Sequence, residues 1–98
     1  MIQIIVLLEV NDKTFFQKFE KNATKVMGKY NGKLLSAFRP NEAESTFPNI
    51  DEVHILEFPD LVAFRNYRED PELKKLSGLR NKGIFKTTII VSGKNVIY

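Results

Sequence analysis

Cysteine is absent from this chain, which excludes disulfides, thiolate metal sites and a cysteine nucleophile; a small domain without such staples suits a reducing cytoplasm. Histidine occurs once, at His54, and one imidazole does not make a metal centre, nor do the nearest acids, Glu52 and Glu57, supply a ligand spacing. No apolar run approaches the ~20 residues of a membrane span. The apolar opening Ile2 to Leu8 has no basic stretch before it and is followed directly by Glu9, Asn11 and Asp12, so it reads as a strand and not as a secretion signal. Also missing are a glycine-rich phosphate loop, a Gly-x-Ser-x-Gly elbow and a dinucleotide fingerprint, which removes support for nucleotide, serine-hydrolase and nicotinamide chemistry. Neither a metal nor a cofactor is expected.

What remains is the composition of an ordinary globular domain. With 98 residues, 43% hydrophobic and 28% charged, residues 1–98 make one domain and too little for two. The formal net charge is +3, and its excess lies between Lys13 and Lys33, where Lys18, Lys21, Lys25 and Lys29 recur at helical intervals. That is one solvated helix face. Nucleic-acid binding would require arginines and stacking aromatics on the same face, and Arg39, Arg65, Arg68 and Arg80 lie elsewhere. The same topology serves RNA-recognition domains, but strand one here carries no aromatic residue to stack a base.

Read by period, residues 2 to 10 form a strand apolar on both faces: Ile2, Ile4, Val6, Leu8 and Val10 on one, Ile5 and Leu7 on the other. Asn11 or Asp12 caps a helix whose apolar side is Phe15, Phe19, Ala23, Val26 and Tyr30, ending at Gly28 and Asn31-Gly32. A second strand runs from Lys33 to Arg39 and is closed by Pro40; Asn41 to Ile50 is a polar loop carrying Phe47, read as a lid or an arm across a partner. Glu42 and Glu44 in that loop have no fixed mutual geometry, which argues against a glycosidase-like acid and base pair. Glu52 to Phe58 is the third strand. Asp60 caps a helix from Leu61 to Arg68, Pro71 starts a further helical segment through Arg80, and Gly83 releases the chain into a fourth strand, Ile84 to Val91.

The order β-α-β-β-α-β is the ferredoxin-like split arrangement, an α+β fold with a four-stranded antiparallel sheet. Right-handed crossovers place both helical layers on one face of it. Four strands make a face of roughly 19 by 23 Å, and two helices of ~10 Å diameter cover only one such face. The other is too apolar to leave wet, and a second copy of the chain is its simplest cover. A homodimer through the open sheet face is therefore expected.

Four residues stand out as candidates for chemistry. His54 lies mid-strand on the face of Leu56 and Phe58, where an imidazole can act as acid or base, or can simply be a hydrogen-bonded core residue. Tyr67 and Arg80 can frame a pocket between helices and sheet; a guanidinium at Arg80 suits the carboxylate of a small acid, but suits equally carbonyls at its own helix end or a pairing with Glu57. Arg39 ends its strand facing the 41–50 loop and is a further ligand-binding candidate.

Residues 52 to 80 carry a recognisable pattern: a strand ending in Glu57, Phe58 and Pro59, then a helix, then Pro71, Glu72, Leu76, Leu79 and Arg80. With the apolar first strand and the turn from Tyr30 to Leu34, this resembles an uncharacterised branch of the dimeric α/β-barrel superfamily, relatives of the antibiotic-biosynthesis monooxygenases and EthD-like proteins. The resemblance implies a barrel-forming dimer. Its monooxygenase members use aromatic and polar pocket residues without metal or flavin, and no catalytic set of theirs matches this chain residue by residue. Two functions follow as expectations: a cytoplasmic homodimer binding or oxidising a small organic acid or aromatic compound in a cavity between helices and sheet, or a non-catalytic dimeric structural or stress-related module.

Overall fold

The computed structural model describes residues 1–98. In chain order its elements are β1 (Ile2–Val10), α1 (Lys13–Gly28), β2 (Lys33–Phe38), β3 (Glu52–Phe58), α2 (Leu61–Glu69), α3 (Pro71–Lys75), α4 (Ser77–Gly83) and β4 (Ile84–Val91). The four strands form one antiparallel sheet in the order β2-β3-β1-β4. The split arrangement read from the sequence is thus the observed one, and β1, apolar on both sides, takes an interior place where burial favours such a strand.

The register sorts the side chains. Ile4 pairs with Leu56 and Val91, Val6 with His54 and Ile89, and Leu8 with Glu52 and Thr87, so these residues share the face beneath the helices. Gln3, Ile5, Leu7, Val53, Ile55, Glu57, Phe38, Thr88 and Ile90 alternate onto the other face, which no helix covers. There Phe38 and Ile90 are about half exposed, at 48% and 52%.

Helix starts follow the expected capping chemistry. Asp12 accepts from the amides of Thr14 and Phe15 at 2.9 and 3.1 Å, and Asp60 from that of Ala63 at 2.8 Å, each satisfying donors that a helix start leaves unpaired. The helical segment after Pro71 is not continuous. It breaks at Leu76, whose φ of −83° and ψ of 2° lie outside the helical well, just before the weak helix formers Ser77 and Gly78. Asp70 starts the first piece by accepting from the amide of Glu72 at 2.7 Å. Its other oxygen receives the Tyr30 hydroxyl at 2.5 Å and lies 3.6 Å from Lys29 Nζ.

One correction concerns α1. Its buried residues are Phe16, Phe19, Ala23, Val26 and Met27, while Phe15 is only half-buried, with Lys82 Nζ 5.2 Å above its ring. Phe19, Ala23 and Val26 thus lie on the buried side as read from the sequence, but Phe16 and Met27 join them there while Phe15 and Tyr30 sit half-buried at its edges. At the start of α1 the Gly83 carbonyl accepts from the amides of Asn11 and Asp12 at 2.8 and 3.3 Å. The end of α4 lies so close there that a Cβ at position 83 would collide with the backbone of Phe15 and Phe16.

The core is divided. One group of buried residues gathers Ile4, Met27, Leu56, Phe58 and Phe64; the other gathers Leu8, Phe16, Phe19, Ala23 and Ile84, and Val6 touches both. Phe58 is fully buried, its ring centroid 5.4 Å from that of Phe64 and 5.5 Å from that of Tyr67. The 41–50 loop and the tail from Lys94 to Tyr98 are exposed. No helix is long and apolar enough to cross a membrane.

Candidate functional site

Between the two halves of the core lies a cavity of about 380 Å³, walled by α1, by the three helices of the second crossover and by the covered face of the sheet. Its lining is mostly apolar, and the polar groups that break it include His54, Tyr67, Arg80 and Glu20. An apolar chamber with a few converging polar groups is the usual form of a small-molecule site, and this volume falls in the usual range.

His54 is held on β3 opposite Val6 and is buried, at 5% exposure. Its Nε2 lies 2.5 Å from Glu52 Oε2, and its Nδ1 lies 3.5 Å from Glu20 Oε2. The imidazole thus stands between two carboxylates. The short contact is made by Nε2 with Glu52, and Nδ1 is turned to Glu20. Arg80 comes from α4 and donates to Thr87 Oγ1 at 3.1 Å, which leaves its remaining N–H groups free for another acceptor. Tyr67 comes from α2; burial, with the Glu20 charge adding to it, pushes its phenol up to about 12, so it stays a neutral O–H donor over the physiological range.

Three of the four candidate residues, His54, Tyr67 and Arg80, therefore line one cavity, and Arg39 does not. Arg39 lines a separate, more polar recess of about 340 Å³ with Lys13, Gln17, Glu42 and Asp51. Its guanidinium Nε is 3.9 Å from Glu52 Oε1, and Glu52 is the link, since its other oxygen holds His54. Arg80 pairs with neither Glu57 nor the carbonyls of its own helix end; its partner is the Thr87 hydroxyl.

Glu20 is the site residue missing from the sequence reading. It follows Phe16 by one helical turn and precedes Ala23 by three residues, so in the observed helix it falls on the buried side. Burial pushes its carboxyl above the ordinary carboxylate range; His54 draws it back down, Glu52 raises it further and Arg80 lowers it. A stripe drawn through Phe16, Ala23 and Met27 passes over this one acid, and that is the signal that points to it.

Fold and site together define a ferredoxin-like α+β domain with a half-apolar chamber under its helices. The chain belongs to the family described as a domain of unknown function, DUF1330, whose model matches residues 3–94. No curated protein matches it. Among solved structures it is similar to a protein of unknown function from Rhodopseudomonas palustris, at 15% identity and a TM-score of 0.80, covering 98% of this chain and 83% of that one. It is similar as well to SnoaB, a cofactor-independent oxygenase from Streptomyces nogalater, at 11% identity and a TM-score of 0.70, covering 98% and 94%. A dabb family protein with a ferredoxin-like fold from Mesorhizobium loti is 17% identical with a TM-score of 0.70, covering 97% of both chains. At these identities the likeness is one of fold.

Proposed function

We propose that this chain pairs through its open sheet face into a homodimer and binds a small organic acid or aromatic compound in the cavity, holding or oxidising it there. The observation that carries the reading is the chamber of about 380 Å³ into which His54, Tyr67 and Arg80 converge from three different elements. The space is partly open to solvent, and its wall joins apolar side chains to these polar groups, the usual make-up of a small-molecule site. In this arrangement Arg80 receives a carboxylate or another anionic group, Tyr67 donates to an oxygen, and the apolar wall takes a ring or short chain. Oxidation is the finer part of the reading and draws on the fold shared with an oxygenase that needs no cofactor. A cytoplasmic setting goes with it, supported by the lack of cysteine.

The dimer is supported by the apolar character of the uncovered face, with Ile5, Leu7, Phe38, Ile55 and Ile90 presented together. Its test is sedimentation at micromolar concentration, where a species of twice 11.3 kDa is expected and a lone monomer counts against it. For the cavity, benzoate and simple phenols are expected to raise the melting temperature of the wild type, and His54→Ala and Arg80→Ala to diminish the rise. Equal shifts in all three proteins remove these residues as ligand contacts. The competing reading, a non-catalytic dimeric module, is favoured by one observation: His54 and Arg80 already have partners inside the chain, Glu52 and Thr87. Absence of any shift with either class of compound selects it.

A further inference from the structure

The polar groups of the cavity are more specific than binding alone requires. Glu20 stands on an apolar wall and meets His54 at 3.5 Å. His54 in turn is bonded to Glu52 at 2.5 Å, and Glu52 approaches Arg39 at 3.9 Å in the second recess. One hydrogen bond and two ion-pair approaches thus set these groups side by side, from the chamber, past an imidazole, to a surface recess whose Arg39 is 65% exposed. Within this set a proton can sit in two places. With Glu20 protonated, its O–H faces the Nδ1 lone pair; with the proton on Nδ1, an imidazolium lies between two carboxylates. Both states carry the same net charge, so the exchange requires no movement of a counter-ion.

On the cavity reading given above, we infer that Glu20 is a general base for removing a proton from carbon next to a carbonyl group in a small 2-oxo acid, and that His54 and Glu52 exchange that proton with solvent. The parts match what such a step needs. A base works best when its affinity for the proton approaches the working pH, and burial moves the Glu20 carboxyl in that direction. The charge developing on the carbonyl oxygen needs a donor that is itself un-ionised. Tyr67, whose hydroxyl takes no hydrogen bond from the chain and stays neutral, supplies one. Arg80 anchors the substrate carboxylate. The groups facing Glu20 are His54 and Glu52 from β3, Tyr67 from α2 and Arg80 from α4.

The step balances without an oxidant or a leaving group. The C–H bond breaks, its proton goes to a Glu20 oxygen, and its electron pair moves through the new C=C bond onto the carbonyl oxygen, giving an enolate. In D₂O the proton leaves Glu20 through His54 and Glu52, a deuteron returns by the same line, and Glu20 delivers it to carbon as the C=C bond reverts to C=O. The net change is one C–H replaced by C–D.

The experiment uses phenylpyruvate as probe, with deuterium at its methylene carbon followed by NMR in D₂O and binding followed by thermal shift. The wild type is expected to speed exchange over buffer. Glu20→Gln is expected to bind phenylpyruvate as before and lose about 10²-fold or more of the rate, while Glu20→Asp restores part of it. Glu52→Gln is expected to retain binding and fold while changing the pH profile of exchange, because it alters how the base regains a solvent proton. Stabilisation of the wild type by phenylpyruvate with no exchange above buffer, or undiminished exchange in Glu20→Gln, overturns the inference and leaves the cavity reading intact. Exchange lost through misfolding is separated by the melting temperature of Glu20→Gln and by the Glu20→Asp rescue. If phenylpyruvate stabilises no variant, the substrate class falls, and with it both the inference and the cavity reading for such acids.

Discussion

The two faces of the sheet are drawn from alternate residues of the same strands, and they solve opposite problems. On the covered face, buried residues such as Ile4, Leu8 and Phe58 coexist with a chamber of about 380 Å³ and with His54. On the uncovered face, Ile5, Leu7, Phe38, Ile55 and Ile90 form an apolar surface flanked by Gln3, Glu9, Glu57 and Lys86. The side roofed by its own helices thus keeps space and polar groups, while the side lacking a cover presents a cluster of apolar side chains. Filling the chamber would be the easier way to gain stability, since each buried methylene contributes about 0.8 kcal/mol. On the proposed function, retaining it beside an imidazole and a raised carboxyl gives up that stability for a binding site.

The contrast can be broken most forcefully at Phe58. Phe58→Ala removes a fully buried ring from the covered face and is expected to cost about 3–5 kcal/mol in urea unfolding; a loss below ~1 kcal/mol would mean that this half of the core is loosely packed. Next is the open face. Phe38→Asp, at a position 48% exposed in the single chain, is expected to weaken self-association by about 2 kcal/mol or more, roughly thirty-fold in the dissociation constant. Sedimentation and stability both unchanged by it would show that the face stays in water. Gly83→Ala places a Cβ against the Phe16 backbone and is expected to cost about 1–3 kcal/mol, read as a lower midpoint in urea with an unchanged slope.

Smaller effects sharpen the comparison. The Glu20 carboxyl has a stronger hold on its proton in the folded chain than in the unfolded one, because burial disfavours its charge. Its contribution to stability is therefore favourable below its unfolded value near 4.5 and declines as pH rises through the higher folded value. Glu20→Gln is accordingly expected to raise the melting temperature at pH 7 and to flatten this decline; a lower melting temperature would assign Glu20 a structural role. Asp70 behaves in the opposite sense. The Tyr30 hydroxyl holds its carboxyl below the usual range, with burial opposing, so its contribution is complete above about 3.8 and is lost as pH falls. Tyr30→Phe is expected to remove much of this contribution, lowering stability at neutral pH with little effect near pH 2 and so flattening the acid-side loss, checked by unfolding between pH 2 and 7.

Much of the architecture was legible because its signals are local. Period two in Ile2 to Val10, capping acids at Asp12 and Asp60, Pro71 at a helix start and the break at Gly83 all act within a few residues of themselves. The split topology follows once those elements are in order, and the open face follows from counting helices. The full width of the buried side of α1 was not legible, since Phe15 and Phe16 are adjacent aromatics and either can anchor a stripe. Phe16 is the buried one, packed with Leu8 of β1 and with Ile84 of β4, distant in sequence, and Glu20, one turn after it, was missed with it. The joining of His54 to Arg39 through Glu52 was out of reach for the same reason: Arg39 follows β2, and its approach depends on a bulge between Leu34 and Ser36 that shifts the pairing with β3. His54, Tyr67 and Arg80 were legible as polar residues on otherwise apolar faces; what they enclose was not.

Because β1 lies between β3 and β4, the first strand made during synthesis remains half unpaired until the last one arrives. Ser92 then closes the seam, its amide donating to the Gln3 carbonyl at 2.8 Å and its hydroxyl accepting from the Gln3 amide at 2.9 Å. Contacts between residues so far apart in the chain are entropically slow to form. Thr87 and Ile89, which complete the chamber, ride on that late strand. A nascent chain shortened before β4 would therefore present a sticky, half-finished edge and no chamber, so the finished C-terminal strand completes the sheet and the cavity together.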